Sequence, residues 1–295
     1  MYSHVLDITR LSKLYGKTIG IGDVSFTIDE GEIFGFIGPN GAGKSTTIRI
    51  LLNLIFPSGG SARILGMDVI KDSKRIKQVT GYIPSDAYAY PYMTVSEFLS
   101  YCMRFYGHKN DNGRRNELAE MFDLDMKKKV SDLSFGNRRK VSIIQALQHN
   151  PEFLIMDEPT TGLDPLIQSR FFDLIRTENK NGMTVFFSSH ILSEIQLLCK
   201  RVAIIRDGKI VNLEDIESLR RKQLKKIRIW KGENDNMEDL IIAGTEGDVS
   251  NTGDMLSFMY SGDMNDLLRL LAKRKIANLT VEEPSLEEIF MHYYN

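Results

Sequence analysis

Residues 38–46 read Gly-Pro-Asn-Gly-Ala-Gly-Lys-Ser-Thr, a spacing of glycines, lysine and hydroxyls that can cradle a polyphosphate. Gly41 and Gly43 let backbone N–H groups turn inward toward phosphate oxygens. Lys44 supplies a point charge at the β- and γ-phosphates, and Ser45 offers a hydroxyl to Mg²⁺. Gly38, Pro39, Asn40, Ala42 and Thr46 complete the loop. It follows an apolar run and opens an amphipathic one, the strand–loop–helix setting that this chemistry needs. The stretch FLIMDEPTTGLD (153–164) adds carboxylates: four apolar residues make a buried strand, and Asp157 at its end can hold Mg²⁺. Glu158 follows directly, placed to accept a proton from a water in line with the γ-phosphate, or to orient that water. Without a phosphate loop the same pair would read as a solvated strand end. FFSSH (186–190) ends on His190. A lone histidine there is ordinarily structural, but a parallel sheet gathers its strand ends on the side where ligands bind. His190 could then donate to the γ-phosphate.

These residues need a scaffold, and the chain supplies a recognisable one. Strand-like runs at EIFGFIG (32–38), FLIMD (153–157), TVFFSS (184–189) and VAIIRDG (202–208) alternate with helix-like stretches at 44–55, 164–178 and 191–200. That alternation predicts an α/β fold with a largely parallel sheet. TVSEFLSYCMRFYG (94–107) opens on a Thr-x-x-Glu capping box and begins a helical block that runs through RRNELAEMFDL. The pattern changes after RDGKIV, where a charged helix SLRRKQLKK (218–226) would link two domains. The predicted division is 1–218 and 219–295. The second part holds two or three strands (IRIWK, LSFMYSG, NLTVEE) and two helices (MNDLLRLLAKR, SLEEIFMHYY), a small α+β appendage.

Composition narrows the class. Over 295 residues, 42% hydrophobic and 26% charged content support a sizeable core, and a net charge of -1 gives no push toward nucleic acid or anionic lipid. Cys102 and Cys199 lie far apart in apolar patterns and read as buried thiols of a reducing compartment. The opening MYSHVLDITRL has no basic-then-apolar arrangement of a signal peptide, and no run approaches the roughly 18 apolar residues needed to span a bilayer. Any membrane role would come through a partner.

The stretch DLSFGNRRKVSIIQAL (132–147) begins an apolar-striped helix with Ser, Phe, Gly and Asn. Ser134 can cap it, but Gly136 in the first turn weakens a helix. Small residues there would also let an anion sit against the helix N-terminus. Arg138, Arg139 and Lys140 read as a solvated basic face.

Taken together, GPNGAGKST, FLIMDE, GLD and SSH, in that order, resemble the nucleotide-binding subunits of ATP-binding cassette (ABC) transporters, over residues 4 to about 215. LSFGN stands where that family usually has Leu-Ser-Gly-Gly-Gln. The resemblance implies a P-loop NTPase cassette with a helical signature subdomain, ATP and Mg²⁺ as cofactors, and a head-to-tail dimer with the same or a different cassette. In such a dimer Ser134, the Gly136 N–H and Asn137 would contact the γ-phosphate held by the other subunit, and Asp164 would reach across. Tyr15 would stack on adenine. Catalysis would fall to Glu158, His190 and Lys44, with Ser45 and Asp157 at the metal. The expected partner is a separate membrane permease, which places the chain on the cytoplasmic face of the cell membrane. The tail EEPSLEEIFMHYYN is similar to that of bacterial exporter cassettes; as a bare amphipathic helix it would dock Leu286, Ile289 and Phe290 on the core.

Two stretches depart from the family. Phe135 and Asn137 replace Gly and Gln in the signature. In GYIPSDAY (81–88), Ser85 stands where the family has a Gln that reaches the metal and the attacking water. Asp86 could serve instead, or residues 85–86 could be a plain surface turn. The rival readings are an ATPase acting on nucleic acid or ribosomes, and a module that binds ATP without turning it over. The first lacks long coiled coils, a second cassette and a basic footprint; the second runs against Glu158 and His190.

Overall fold

The computed structural model describes residues 4–86, 90–106, 112–217, 225–232 and 244–284. Its contacts divide the chain into two units, Met1–Glu214 and Asp215–Asn295.

Two sheets build the first unit. An antiparallel sheet has the order β2-β1-β4-β5, from β1 (Leu6–Tyr15), β2 (Thr18–Ile28), β4 (Gly59–Ile64) and β5 (Met67–Asp68). The alternation along β1 is broken by register shifts after Ile8 and by Arg10 at φ 47, so Leu6, Ile8 and Leu11 all point inward across a bulge. That interruption hides the strand from a period-two reading, and none of these four strands was expected.

The second sheet runs β10-β9-β3-β8-β7-β6. It comprises β3 (Ile33–Ile37), β6 (Thr80–Ile83), β7 (Phe153–Asp157), β8 (Thr184–Ser189), β9 (Arg201–Arg206) and β10 (Lys209–Asp215). Pairs β3–β8, β3–β9, β7–β8 and β6–β7 are parallel. β7 and β8 match their expected bounds. Asp207 and Gly208, both at positive φ, turn β9 into β10, so the pattern continues one strand beyond the turn that was expected to end it.

Phe26 of β2 packs on Phe34 and Phe36 of β3 and Phe186 of β8, with ring centroids 5.2, 5.5 and 5.8 Å away. Each such pair contributes about 0.5–1.5 kcal/mol beyond area burial. One core therefore joins both sheets and the buried face of α1 (Lys44–Leu51).

The remaining helices of this unit are α2 (Ser73–Val79), α3 (Val95–Met103), α4 (Asn112–Met121), α5 (Phe135–Leu147), α6 (Pro165–Lys180) and α7 (Leu192–Leu198). α3 stops earlier than expected and passes into a 3₁₀ turn at Arg104–Tyr106. Cys102 and Cys199 are free thiols; burial pushes Cys102 up to about 11 and Cys199 well above its ordinary value. No helix among the described residues is long and apolar enough to cross a membrane.

In the second unit, β11 (Lys225–Lys231), β12 (Thr245–Asn251), β13 (Met255–Tyr260) and β14 (Ile276–Glu282) pair antiparallel in the order β12-β13-β11-β14. Ile227, Ile229, Leu256 and Phe258 cluster with Leu267 and Leu271 of α8 (Met264–Leu271). β12 reads TEGDVSN, poor in strand formers, and was not expected. Of the expected linker helix, 218–224 lies outside the described residues, while Lys225 and Lys226 are already in β11. The expected final helix, with Leu286, Ile289 and Phe290, also lies outside them.

Both halves of the α3 capping box form: Thr94 Oγ1 accepts from the Glu97 N–H, and Glu97 accepts from the Thr94 N–H at 2.8 Å. Those bonds hold the Glu97 carboxyl below its ordinary 4.5. A carboxyl lowered in the native state stabilises above its unfolded value and ceases to do so as pH falls through the native one. Thr94→Ala should cost about 1 kcal/mol at neutral pH. Because the Thr94 hydroxyl also donates to Glu97 Oε2 at 2.9 Å, the gap to wild type in urea titrations should narrow in part as pH drops below 4.5, and a gap independent of pH would contradict that side-chain bond.

Candidate active site

The loop after β3 is shaped by contacts that exclude side chains. A Cβ on Gly38 would lie 2.2 Å from the Ile205 carbonyl oxygen; one on Gly43, at φ 110, would lie 2.6 Å from Ile21 Cγ2. The Gly208 N–H also donates to the Ala42 carbonyl at 3.0 Å, tying the loop to the β9–β10 turn. Asn40 and Gly41 stay exposed, and Ser45 and Thr46 are half-buried at the start of α1.

Lys44 is 5% exposed, and its Nζ donates to the carbonyls of Gly38 (2.7 Å) and Pro39 (3.2 Å). Glu158 Oε1 stands 3.4 Å from the same Nζ, and Glu158 Oε2 stands 3.2 Å from His190 Nδ1. One carboxylate thus lies between the lysine of the loop and the histidine of the next strand end. Parallel pairing sets Asp157 beside Ser188. Ser188 Oγ donates to Asp157 Oδ1 at 2.6 Å, and Asp157 is 2% exposed.

Glu158 has φ 49, a left-handed conformation that costs a non-glycine residue about 1–3 kcal/mol. Its N–H donates to the Ser188 carbonyl at 3.0 Å. Its own carbonyl accepts from Arg139 Nη2, while Arg139 Nε donates to the Pro159 carbonyl at 2.8 Å. Arg139 Nη1 donates to the carbonyls of Pro84 and, at 3.1 Å, Ser85. Arg139 is fully buried, so the expected solvated basic face does not hold at this position. Burial lowers the guanidinium's pKa, and the charges of Asp157, Asp86 and Glu158 oppose that shift. In the 85–86 segment the Ser85 carbonyl is held by Arg139, and the Asp86 side chain is exposed.

A second cluster forms on the loop 159–164. Ser134 caps α5 by accepting from the Asn137 N–H at 3.2 Å, and a Cβ on Gly136 would lie 2.9 Å from the Gly162 carbonyl. The half-exposed Phe135 ring lies directly on Gly162. Asp164 caps α6, accepting from the Ile167 N–H at 3.0 Å. Among the described residues, Ser134, Gly136 and Asn137 make no hydrogen bond to the loop 38–46 of this chain. Buried Glu194 of α7 ties the same loop to the β8 end, accepting from Thr160 Oγ1 (2.6 Å) and Ser189 Oγ (2.7 Å).

Tyr15 sits at the tip of the β1–β2 hairpin, half-exposed, with its ring against Gly20. The Gly20 carbonyl in turn abuts Gly43 of the phosphate loop.

Known proteins can now be set beside this geometry. Residues 21–161 match the family model described as ABC transporter. The bacitracin transport ATP-binding protein of Bacillus licheniformis is 33% identical over 98% of this chain and 97% of its own length. The chain belongs to the ABC transporter ATP-binding proteins. The linearmycin resistance ATP-binding protein of Bacillus subtilis is 36% identical over 70% of this chain and 68% of its own. A solved ATP-binding subunit of an ABC transporter superposes with a TM-score of 0.70 at 29% identity, covering 74% of this chain and 92% of that one.

This ABC cassette binds ATP and is an ATPase coupled to transport. No group of three His, Cys, Asp or Glu among the described residues could cage a metal. Mg²⁺ needs no such cage, since it takes one or two protein oxygens together with substrate phosphates. The oxygen donors of Ser45 and of Asp157, one of whose carboxylate oxygens is engaged by Ser188, suit that hard cation.

Ser188, Glu194, Thr160 and the role of Arg139 were not expected from the sequence. Only Arg139 left a signal there: it shares the helical face of Ile143 and Ala146, both buried.

Lys44→Ala should weaken ATP binding about 10- to 100-fold, as loss of a charge-assisted hydrogen bond worth about 1.5–3 kcal/mol implies. Titration with a fluorescent ATP analogue measures it, and an unchanged Kd would contradict the assignment of this loop.

Proposed function

We propose that this chain is the ATP-hydrolysing subunit of an exporter, closing with a second cassette around two ATP·Mg²⁺ to drive a separate permease. The observation that carries the catalytic part is the Glu158 carboxylate, set between Lys44 and His190. There it activates or orients a water, while Lys44 and His190 stabilise charge on the transferred phosphoryl group; Mg²⁺, when bound, would supply further charge stabilisation. Ser45 and Asp157 would hold the cation, and Tyr15 would stack on the adenine.

A dimer is supported by the second cluster. The N-terminus of α5, with Ser134, Gly136 and Asn137, is chemically suited to an anion. Its own chain's phosphate loop makes no hydrogen bond to it among the described residues, and a neighbouring cassette's ATP would satisfy it. Asp164 reaches across the same interface. Hydrolysis removes the shared γ-phosphates and reopens the pair, and that two-state cycle does work on the permease.

Export is supported by the relatives named for bacitracin transport and linearmycin resistance. The cassette sits at the cytoplasmic face of the membrane, with residues 219–295 as a separate accessory domain, and takes no nucleic acid. An apolar groove of about 730 Å³, lined by residues including Leu52, Tyr82, Pro84 and Phe105, with exposed Lys74 and Lys77, adjoins the Ser85 loop. A permease helix with an apolar face and an acidic end suits it.

Glu158→Gln should trap an ATP-bound dimer, visible by light scattering at saturating ATP and Mg²⁺; a variant that stays monomeric sinks the two-site model. Ser85→Gln should raise the ATPase rate by placing an amide where the serine is too short, and an unchanged rate would assign residue 85 a purely main-chain role. A tagged pull-down from gently solubilised native membranes should recover a multi-span protein. Recovery of ribosomes or nucleic acid alone would move the chain to the non-transport branch.

A further inference from the structure

Arg139 presents an unusual economy of contacts. Its guanidinium is fully buried, and its hydrogen-bond partners are four main-chain carbonyls: Pro84 and Ser85 after β6, Glu158 and Pro159 after β7. Removing a cation from water costs several kcal/mol, and replacing buried ions with apolar residues of similar volume is often neutral or stabilising. A leucine or methionine on this face of α5 would fill the space without desolvating a charge but would take the donor from four main-chain carbonyls, so what the residue does lies in those carbonyls and not in packing.

The carbonyls themselves suggest what does. Two belong to the loop that borders the apolar groove; the other two follow the catalytic strand. The Glu158 carbonyl is part of a residue at φ 49 whose N–H is already fixed to Ser188. With the peptides on both sides of Glu158 held, the direction in which its Cα–Cβ bond leaves the backbone is fixed, and from there the carboxylate reaches Lys44 and His190. A planar guanidinium with five donors can hold two loops at once in a fixed geometry, which an ammonium cannot.

We propose that Arg139 is a positioning residue for hydrolysis. It clamps the Pro84–Ser85 and Glu158–Pro159 carbonyls on one guanidinium, aligns the Glu158 carboxylate, and makes that alignment follow any movement of the 84–86 loop. The inference rests on the reading of Glu158 as the group that activates or orients water.

The test uses the full chain carrying Arg139→Lys or Arg139→Gln, with melting temperature, Kd for ATP, and kcat and KM measured on each. Kd should stay within about twofold, because the phosphate loop is untouched. The kcat of Arg139→Gln should fall roughly 10- to 100-fold, the scale of a displacement near 1 Å at a reacting group. Arg139→Lys should retain more, since its ammonium can still donate to part of the set. A folded Arg139→Gln with unchanged kcat overturns the proposal, as does a Kd that weakens while kcat holds. If neither variant folds, Ser85→Gly decides, because it keeps Arg139 and loosens the loop it grips: reduced kcat at unchanged Kd supports the clamp, and unchanged kcat removes it. Glu158→Gln run alongside keeps the two readings apart. Turnover retained there removes the role of Glu158; turnover lost there but kept in both Arg139 variants removes only the role of Arg139.

Discussion

A glutamate held in the left-handed region at the end of β7 is the constraint around which this site is arranged. The chain must leave a buried parallel strand, turn sharply, and still aim a carboxylate back toward the loop after β3. A glycine would make the turn at less cost but would carry no carboxylate. The structure keeps the side chain and supports its backbone from both sides, through the Ser188 carbonyl and the Arg139 guanidinium. Strain of about 1–3 kcal/mol persists only where the surroundings over-determine the conformation. Here those surroundings are the register of β7 against β8 and the Arg139 side chain of α5.

The same register explains why the functional groups come from remote parts of the chain. Parallel pairing of β3, β8 and β7 brings Ile37 level with Ser189, and Asp157 level with Ser188. Every strand then releases its next residue on the same edge, where Lys44, Glu158 and His190 meet. Close packing on the loop's far side does the rest, since no side chain fits at Gly38 or Gly43. The loop is thereby held by backbone contact with Gly20, Ile21 and Ile205, and α1 starts where its N–H groups can face an anion.

What could be read from the sequence follows from how local the physics is. The phosphate loop, the Asp157–Glu158 pair and strands β7 and β8 are each written in consecutive residues with a regular period. β1 was not, because a bulge breaks its alternation, and β12 was not, because its composition opposes strand formation. Arg139 was misread for a related reason. Three basic residues in a row look like a solvated surface, and only the helical period places the middle one on the buried face. Ser188 and Glu194 act through partners roughly thirty residues away, Asp157 and Thr160, and no local pattern announces such pairs.

The choice of partners around Arg139 bears on the chemistry assigned to the carboxylates. A buried guanidinium beside three acidic residues would ordinarily take a carboxylate in a bidentate pair. Its hydrogen bonds run to four main-chain carbonyls instead, although the charges of Asp157, Asp86 and Glu158 act on it. The anionic oxygens are therefore not consumed by the cation that lies nearest to their backbone. Asp157 gives one oxygen to a neutral hydroxyl, and Glu158 faces Lys44 at 3.4 Å and His190 at 3.2 Å. Electrostatic support at longer range and geometric support through the main chain are thus separated. A carboxylate locked in a bidentate pair would be a poor ligand for a metal and a poor acceptor for a water's proton, the two roles proposed for Asp157 and Glu158, and Arg139 locks neither of them in such a pair.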